Sequence, residues 1–187
     1  MVIHDDNDMP VAICHASIYK GKQVWIEGIR IKNLVRRQGL ASKLVTYVES
    51  LANKKELESS FMLIDTENFS SLSMAENLNY VVKETWKFYS LIPESIKNFN
   101  VKFGNISKKI PIINYVKSWR WLPLNNDLLV TLDKNKKIVY SDHFGDIAFA
   151  ILANSEHFEK TLIVTLYTGS PKNNTELISF LQNFSFN

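Results

Sequence analysis

One cysteine, Cys14, stands among 187 residues, so no intrachain disulfide can form, and a reducing cytoplasm is the setting this fits. It lies in an apolar stretch and reads as a small core residue. No apolar run approaches the roughly 20 residues of a membrane span. The N-terminus, Met1-Val2-Ile3-His4-Asp5-Asp6, is acidic and has no signal-peptide pattern. Four histidines, His4, His15, His143 and His157, show no metal-ligand spacing, so no metal is expected. Low-complexity tracts and clean internal repeats are missing too. A disulfide scaffold, a membrane-spanning helix and a metal-built domain are thereby set aside. With 45% hydrophobic and 22% charged residues, the chain has the make-up of a soluble globular protein of one domain or two small ones.

Charge of one sign is also scarce, at a net +3, but it is unevenly spread. Residues 97–137 carry Lys97, Lys102, Lys108, Lys109, Lys117, Arg120, Lys134, Lys136 and Lys137 against only Asp127 and Asp133. Trp119 and Trp121 lie among them. Basic residues interleaved with aromatics can hold a nucleic acid by phosphate contacts and stacking. A lysine-rich solvated surface over two core tryptophans is the plainer reading. No nucleic-acid motif accompanies the charge, so a nucleic-acid partner is not expected.

What is present is more telling. Val24-Trp25-Ile26-Glu27-Gly28-Ile29-Arg30-Ile31 is rich in strand-forming residues. After Val35-Arg36-Arg37-Gln38-Gly39, Leu40, Leu44, Val48 and Leu51 recur at helical spacing. A strand, a short basic loop with glycine and a helix start make an anion site, because the first helical amides lack internal partners and the dipole favours negative charge there. Gly39 lets backbone approach a phosphate, Ala41 keeps the helix mouth open, and Arg36 and Arg37 add charge.

Around this core of the pattern, strands are predicted near 1–5, 10–19 and 23–31, with turns at Asn7-Asp8 and Lys20-Gly21-Lys22. A helix follows near 39–54, a strand near 61–65 (Phe61-Met62-Leu63-Ile64-Asp65) and a helix near 69–79, after Asn68. Tyr80-Val81-Val82-Lys83-Glu84-Thr85-Trp86 reads as another strand, within extended chain to residue 92. A boundary is expected in Ile92-Pro93-Glu94-Ser95-Ile96-Lys97-Asn98, giving regions 1–92 and 98–187. In the second region Leu128–Leu132 and Lys137–Tyr140 flank Asp133–Lys136 as a hairpin. Strands are read over Ile147–Leu152 and Thr161–Tyr167, and a helix from Thr175, with Ser170 or Asn174 as cap.

Arg36-x-x-Gly39-x-Ala41 after such a strand resembles the pyrophosphate-binding signature Q/R-x-x-G-x-G/A of the GNAT N-acetyltransferases. Asn68 to Tyr80 resembles their second signature, N-x-x-A-x-x-L-Y-x-x-x-G-F, with Asn68 in the Asn place, Asn79 in the Gly place and Tyr80 in the Phe place. Asn tolerates the left-handed conformation of a helix stop, as Gly does. Trp25–Ile31, and more weakly Thr161 to Leu181, are similar to the histidine N-acetyltransferase group, where a further α/β region follows the acetyltransferase domain. The resemblance implies an α/β (α+β) fold: a mixed, mostly antiparallel twisted sheet flanked by helices, then a second, smaller α/β region.

It also implies acetyl-CoA as cosubstrate and transfer of its acetyl group to a primary amine of a small molecule or amino acid. On this likeness Ile29, Arg30 and Ile31 would offer backbone groups to the pantetheine arm. The amides of Gln38, Gly39, Leu40, Ala41 and Ser42 would hold the pyrophosphate beside Arg36 and Arg37, and Asn68 would complete the cofactor set. Glu27, mid-strand where several members carry a carboxylate, is the candidate base; it could equally bind a cationic acceptor or sit on a solvent face. A free Glu titrates near 4.3, so it must be desolvated or act through water to serve near neutral pH. His15, on a neighbouring strand, is the second candidate, with a core role as the alternative. Ala75 holds the place where many members carry an acidic tyrosine, and Tyr80 and Tyr47 are the tyrosines nearby.

Members of the family normally begin with a strand and two helices that wall the acceptor pocket, and these are missing ahead of Met1. The expectation is a pocket completed by the second region or a second subunit of a homodimer, or a chain that is a fragment. Three functions are thus carried forward: an N-acetyltransferase acting on a small molecule or a protein amine, a CoA-binding module with weak or no turnover, and a nucleic-acid or acidic-partner adaptor using the basic segment 97–137.

Overall fold

The computed structural model describes residues 1–19, 22–96, 99–104, 114–156, 158–167 and 169–186. The chain divides into two compact units, Met1–Trp86 and Lys87–Asn187.

In the first unit, β1 (Val2–His4), β2 (Pro10–Tyr19) and β3 (Gln23–Ile31) form an antiparallel meander. Asp5 Oδ1 closes the first turn by accepting the Asn7 and Met9 amides at 3.0 and 2.9 Å. Of the expected Lys20-Gly21-Lys22 turn, Lys20 and Gly21 lie outside the described residues. Helix α1 (Leu40–Lys54) then crosses over to β4 (Ser59–Phe61), which runs parallel to β3, and α2 (Phe69–Asn77) follows. Parallel neighbours require such a crossover. The sheet order is β1-β2-β3-β4. Ala12, Cys14, Val24 and Ile26 pack against Leu44, Val45, Val48 and Ala52 of α1 as one buried core. The spacing of those four α1 residues is the apolar stripe of an amphipathic helix.

Strand β3 changes phase once. Its register with β2 runs Tyr19↔Gln23 to His15↔Glu27, then slips to Ile13↔Arg30, so Gly28 and Ile29 together face Cys14. Gly28 takes φ +62°, which suits a bulge that begins on glycine. Val24 and Ile26 face α1 before the slip, Ile29 and Ile31 after it.

Both helices of this unit end on a left-handed residue. At α1, Glu56 has φ +54°, and the Glu56 and Leu57 amides donate to the Asn53 and Ala52 carbonyls. At α2, Asn79 has φ +63°, and the Asn79 and Tyr80 amides donate to Glu76 and Ala75. This paired closing bond is how helices end when a residue accepts the left-handed region.

Two expectations need correction here. The strand placed near 61–65 lies at Ser59–Phe61, two residues earlier and shorter. No strand forms over Tyr80–Trp86; Val81 and Val82 are 87% and 80% exposed. Strand propensity is expressed only where a neighbouring strand accepts the pairing, and among the described residues none pairs with this run.

The second unit is an antiparallel sheet of order β10-β9-β8-β5, built from β5 (Lys102–Phe103), β8 (Ile138–His143), β9 (Asp146–Asn154) and β10 (Leu162–Tyr167). Helix α4 (Pro171–Phe186) covers one face through Leu177, Phe180 and Leu181 on Val139, Ala148, Ala150 and Leu152. The hairpin of β6 (Asn114–Lys117) and β7 (Arg120–Pro123) joins β10 through the Val116 amide, which donates to Thr165 Oγ1 at 2.8 Å. Ser170, one of the two expected caps, accepts the Asn173 amide at the start of α4.

The expected hairpin over Leu128–Tyr140 is also corrected. Residues Asn126–Lys134 form helix α3, and only its second half is a strand, β8. Asn125 decides this: its side chain accepts the Leu128 amide at 2.8 Å, an N-cap placed ahead of a leucine-rich run with Asp127 in the first turn.

A polar clasp holds α4 to the β8–β9 hairpin. Glu176 accepts from Ser141 at 2.7 Å and pairs with His143 Nε2 at 2.8 Å, while buried Asn173 donates to the Asp146 carbonyl at 2.7 Å. The Ser141 hydroxyl, aided by His143, holds the Glu176 carboxyl below the usual range.

Candidate active site

Strand β3 carries several of the candidate residues in chain order. Glu27 lies on the face away from α1, opposite His15 of β2. Its Oε1 is 2.8 Å from His15 Nδ1, and the Ser17 hydroxyl donates to the same oxygen at 3.4 Å. On that face Trp25 stacks on Phe61 of β4, with ring centroids 5.2 Å apart. The bulge at Gly28-Ile29 follows Glu27 directly and turns Arg30, but not Ile29 or Ile31, to the outside. Bulges commonly re-aim side chains in this way beside active sites.

Beyond Ile31 the chain makes a short 3-10 turn over Asn33–Val35 and enters α1 through Arg36 to Gly39. Arg36 Nε donates to the Ile31 carbonyl at 3.3 Å, bracing the loop against the end of β3. Arg37 and Gly39 both take left-handed backbone, φ +63° and +74°. No side chain caps Gly39, and the first turn of α1 holds no acidic residue. The first amides of a helix have no intrahelical partners, so this mouth offers N–H donors, two exposed arginines and no competing carboxylate. A Cβ built on Gly39 would meet nothing within 4 Å, so the mouth is open. These features fit a diphosphate.

The structure therefore gathers Ile29, Arg30, Ile31, Arg36, Arg37, Gln38, Gly39, Leu40, Ala41 and Ser42 along the end of β3 and the start of α1, one strand turn from Glu27. Asn68 stands elsewhere, as the N-cap of α2, with its Oδ1 accepting the Ser71 amide at 3.2 Å. Ala75 is buried on α2. Tyr80 donates to Glu49 of α1 at 2.8 Å and meets the Ser60 hydroxyl of β4 at 2.5 Å. Burial pushes its hydroxyl above the usual tyrosine range, with Glu49 adding to the shift. Tyr80 is thus a knot among three elements, and Tyr47 is exposed on α1.

The His15–Glu27 bond is the feature the motifs do not contain. Its signal was available in the spacing: counting back in step from the Lys20–Lys22 turn sets His15 against Glu27.

Among the described residues no group of three or more His, Cys, Asp and Glu could hold a metal, and no helix is long and apolar enough to cross a membrane. His157, Lys97, Lys108 and Lys109 lie outside the described residues. Of the remaining basic segment, Arg120 is buried and pairs with Glu156, which also pairs with Lys117, and Lys137 donates to Asn154.

A family model described as Acetyltransferase (GNAT) family matches residues 1–80. Residues 1–80 are thus similar to the GNAT family. The match spans both signatures and the Glu27 strand. Among solved structures, similarity extends to AAC(6')-Iy in complex with the bisubstrate analogue CoA-S-monomethyl-acetylneamine, at 22% identity, TM-score 0.43, over 48% of this chain and 66% of that one. It extends also to the aminoglycoside 6'-N-acetyltransferase AAC(6')-Ih from Acinetobacter baumannii, at 24% identity, TM-score 0.41, over 48% and 67%. AAC(6')-IG from Acinetobacter haemolyticus is similar at 22% identity, TM-score 0.42, over 51% and 69%. The chain thus spans about two thirds of the length of these structures. No curated protein matches it.

Proposed function

We propose that this chain transfers the acetyl group of acetyl-CoA to a primary amine of a small molecule or amino acid. The observation that carries the reading is the arrangement along β3: a carboxylate on the open face, a bulge, and an uncapped helix mouth with two arginines. Acetyl transfer needs a neutral amine in near-attack position and donors at the carbonyl oxygen. The pyrophosphate of acetyl-CoA lies against the amides of Gln38 to Ser42 with Arg36 and Arg37. Backbone groups of Ile29 to Ile31 receive the pantetheine arm, and Glu27 meets the incoming amine. Acetyl-CoA, when bound, supplies the activated carbonyl. A cytoplasmic setting fits the single cysteine.

The second reading, a CoA-binding module with little turnover, rests on buried Ala75, which leaves α2 without the acid that many members of the family carry there. Calorimetric titration with acetyl-CoA, repeated on the Arg36→Ala, Gly39→Glu double variant, tests the cofactor site. The expected result is binding that the double change abolishes; no binding by the folded wild type overturns both readings. A broad amine panel then separates them, since the module binds without acetylating any amine.

A further inference from the structure

We infer that His15 and Glu27 work as a dyad, in which His15 Nε2 takes the proton from the acceptor ammonium and Glu27 positions the ring. The inference rests on the acetyl-transfer reading and reassigns the proton within it. His15 Nδ1 lies 2.8 Å from Glu27 Oε1 across a directly paired position of β2 and β3. A carboxylate only accepts, so the neutral ring carries its proton on Nδ1 and its lone pair on Nε2. His15 is 64% exposed and Glu27 30%, on the sheet face away from α1. A pair this exposed contributes little to stability, so the fold does not require it. An imidazole is by nature a stronger base than a carboxylate, and the Glu27 contact leaves Nε2 as the ring's accepting nitrogen. The pair is also the last in register before the bulge, at the point where β3 turns toward the anion loop.

The chemistry balances as follows. Nε2 takes one proton from R–NH3⁺, and the freed lone pair forms the C–N bond at the thioester carbonyl. The C–S bond breaks, and the remaining excess N–H proton passes to the departing thiolate. The imidazolium returns its proton to solvent, while Glu27 holds the cationic ring in place through Nδ1–H. Glu27 is then a positioning residue and His15 the base.

The test uses the full chain with ¹⁵N-labelled histidine. Above its titration, the His15 ring is expected to show protonated Nδ1 and bare Nε2. Glu27→Gln keeps that tautomer, because the amide oxygen still accepts; Glu27→Ala releases it to the ordinary Nε2–H form. In amine acetylation, His15→Ala lowers kcat by about 100-fold or more, and added imidazole restores part of it, with acetyl-CoA affinity unchanged. Glu27→Gln retains more activity than Glu27→Ala. An Nε2–H ring in the wild type, or a His15→Ala variant turning over at the wild-type rate, overturns the dyad while leaving acetyl transfer intact. A wild type that binds acetyl-CoA but acetylates no amine in the panel overturns the transfer reading and the dyad with it.

Discussion

At position 56 a glutamate occupies backbone that suits glycine. Glu56 is exposed, has φ +54° and closes α1 with its amide on Asn53. A side chain in the left-handed region costs about 1 kcal/mol against glycine. Glu56→Gly is therefore expected to stabilise the first unit by about that amount, read as a higher urea midpoint at unchanged slope. Gly169 poses the opposite case. A Cβ there would come within 2.5 Å of Ala148 Cβ, with Ala148 backbone at 2.8 Å, so only hydrogen fits where α4 begins against β9. Asn79, standing where the family prefers glycine, takes the same left-handed turn that Glu56 takes, and its short polar side chain is what makes this tolerable.

Among elements, α4 depends most on charge. Ser141, foremost, and His143 stabilise the ionised Glu176, so its pKa is lower folded than unfolded. A depressed carboxylate adds stability that is complete above its ordinary value of 4.5 and is lost as pH falls through the lower folded value. Glu176→Gln should flatten the acid side of the melting curve of the second unit, followed by circular dichroism as pH is lowered from neutral through 4.5 and below. Elements were legible where their periodicity was long or their strands had partners: β1 to β3, α1 and α2 fall close to where residue pattern puts them. The failures have physical causes. A five-residue apolar run such as Leu128–Leu132 fits either a strand or one turn of a helix, and the capping Asn125 outside the run decides. Tyr80–Trp86 has the right residues for a strand, but pairing is a property of its neighbours.

At the scale of the whole molecule, one core lies under α1 and another under α4. Leu44 and Leu177 are buried in different cores, each at 2% exposure or less. Truncation of a buried leucine to alanine costs about 2 to 5 kcal/mol. Leu44→Ala should shift the unfolding of residues 1–86 and leave the second unit's transition in place, and Leu177→Ala should do the reverse. Hydrogen exchange resolved by segment reads both transitions in one experiment. The loop that leads from β3 into α1 could be read from seven consecutive residues, because its glycine and the helix start after it are set by local backbone. The His15–Glu27 pair is legible only by counting both strands out from the turn between them, since it is made by their register.

The bulge in β3 sets a limit on how this strand can change over evolution. Pairing Gly28 as an ordinary strand residue, with the bulge ironed out, would act in space as a frameshift does in a message. Every residue after it would exchange faces, with Ile29 and Ile31 sent to water and Arg30 driven into the core under α1. Substitutions on either side are read independently, but the bulge and its extra residue must be kept together or lost together. The strand is thus two phrases with a fixed rest between them: one carries the His15–Glu27 pair, the other leads into α1.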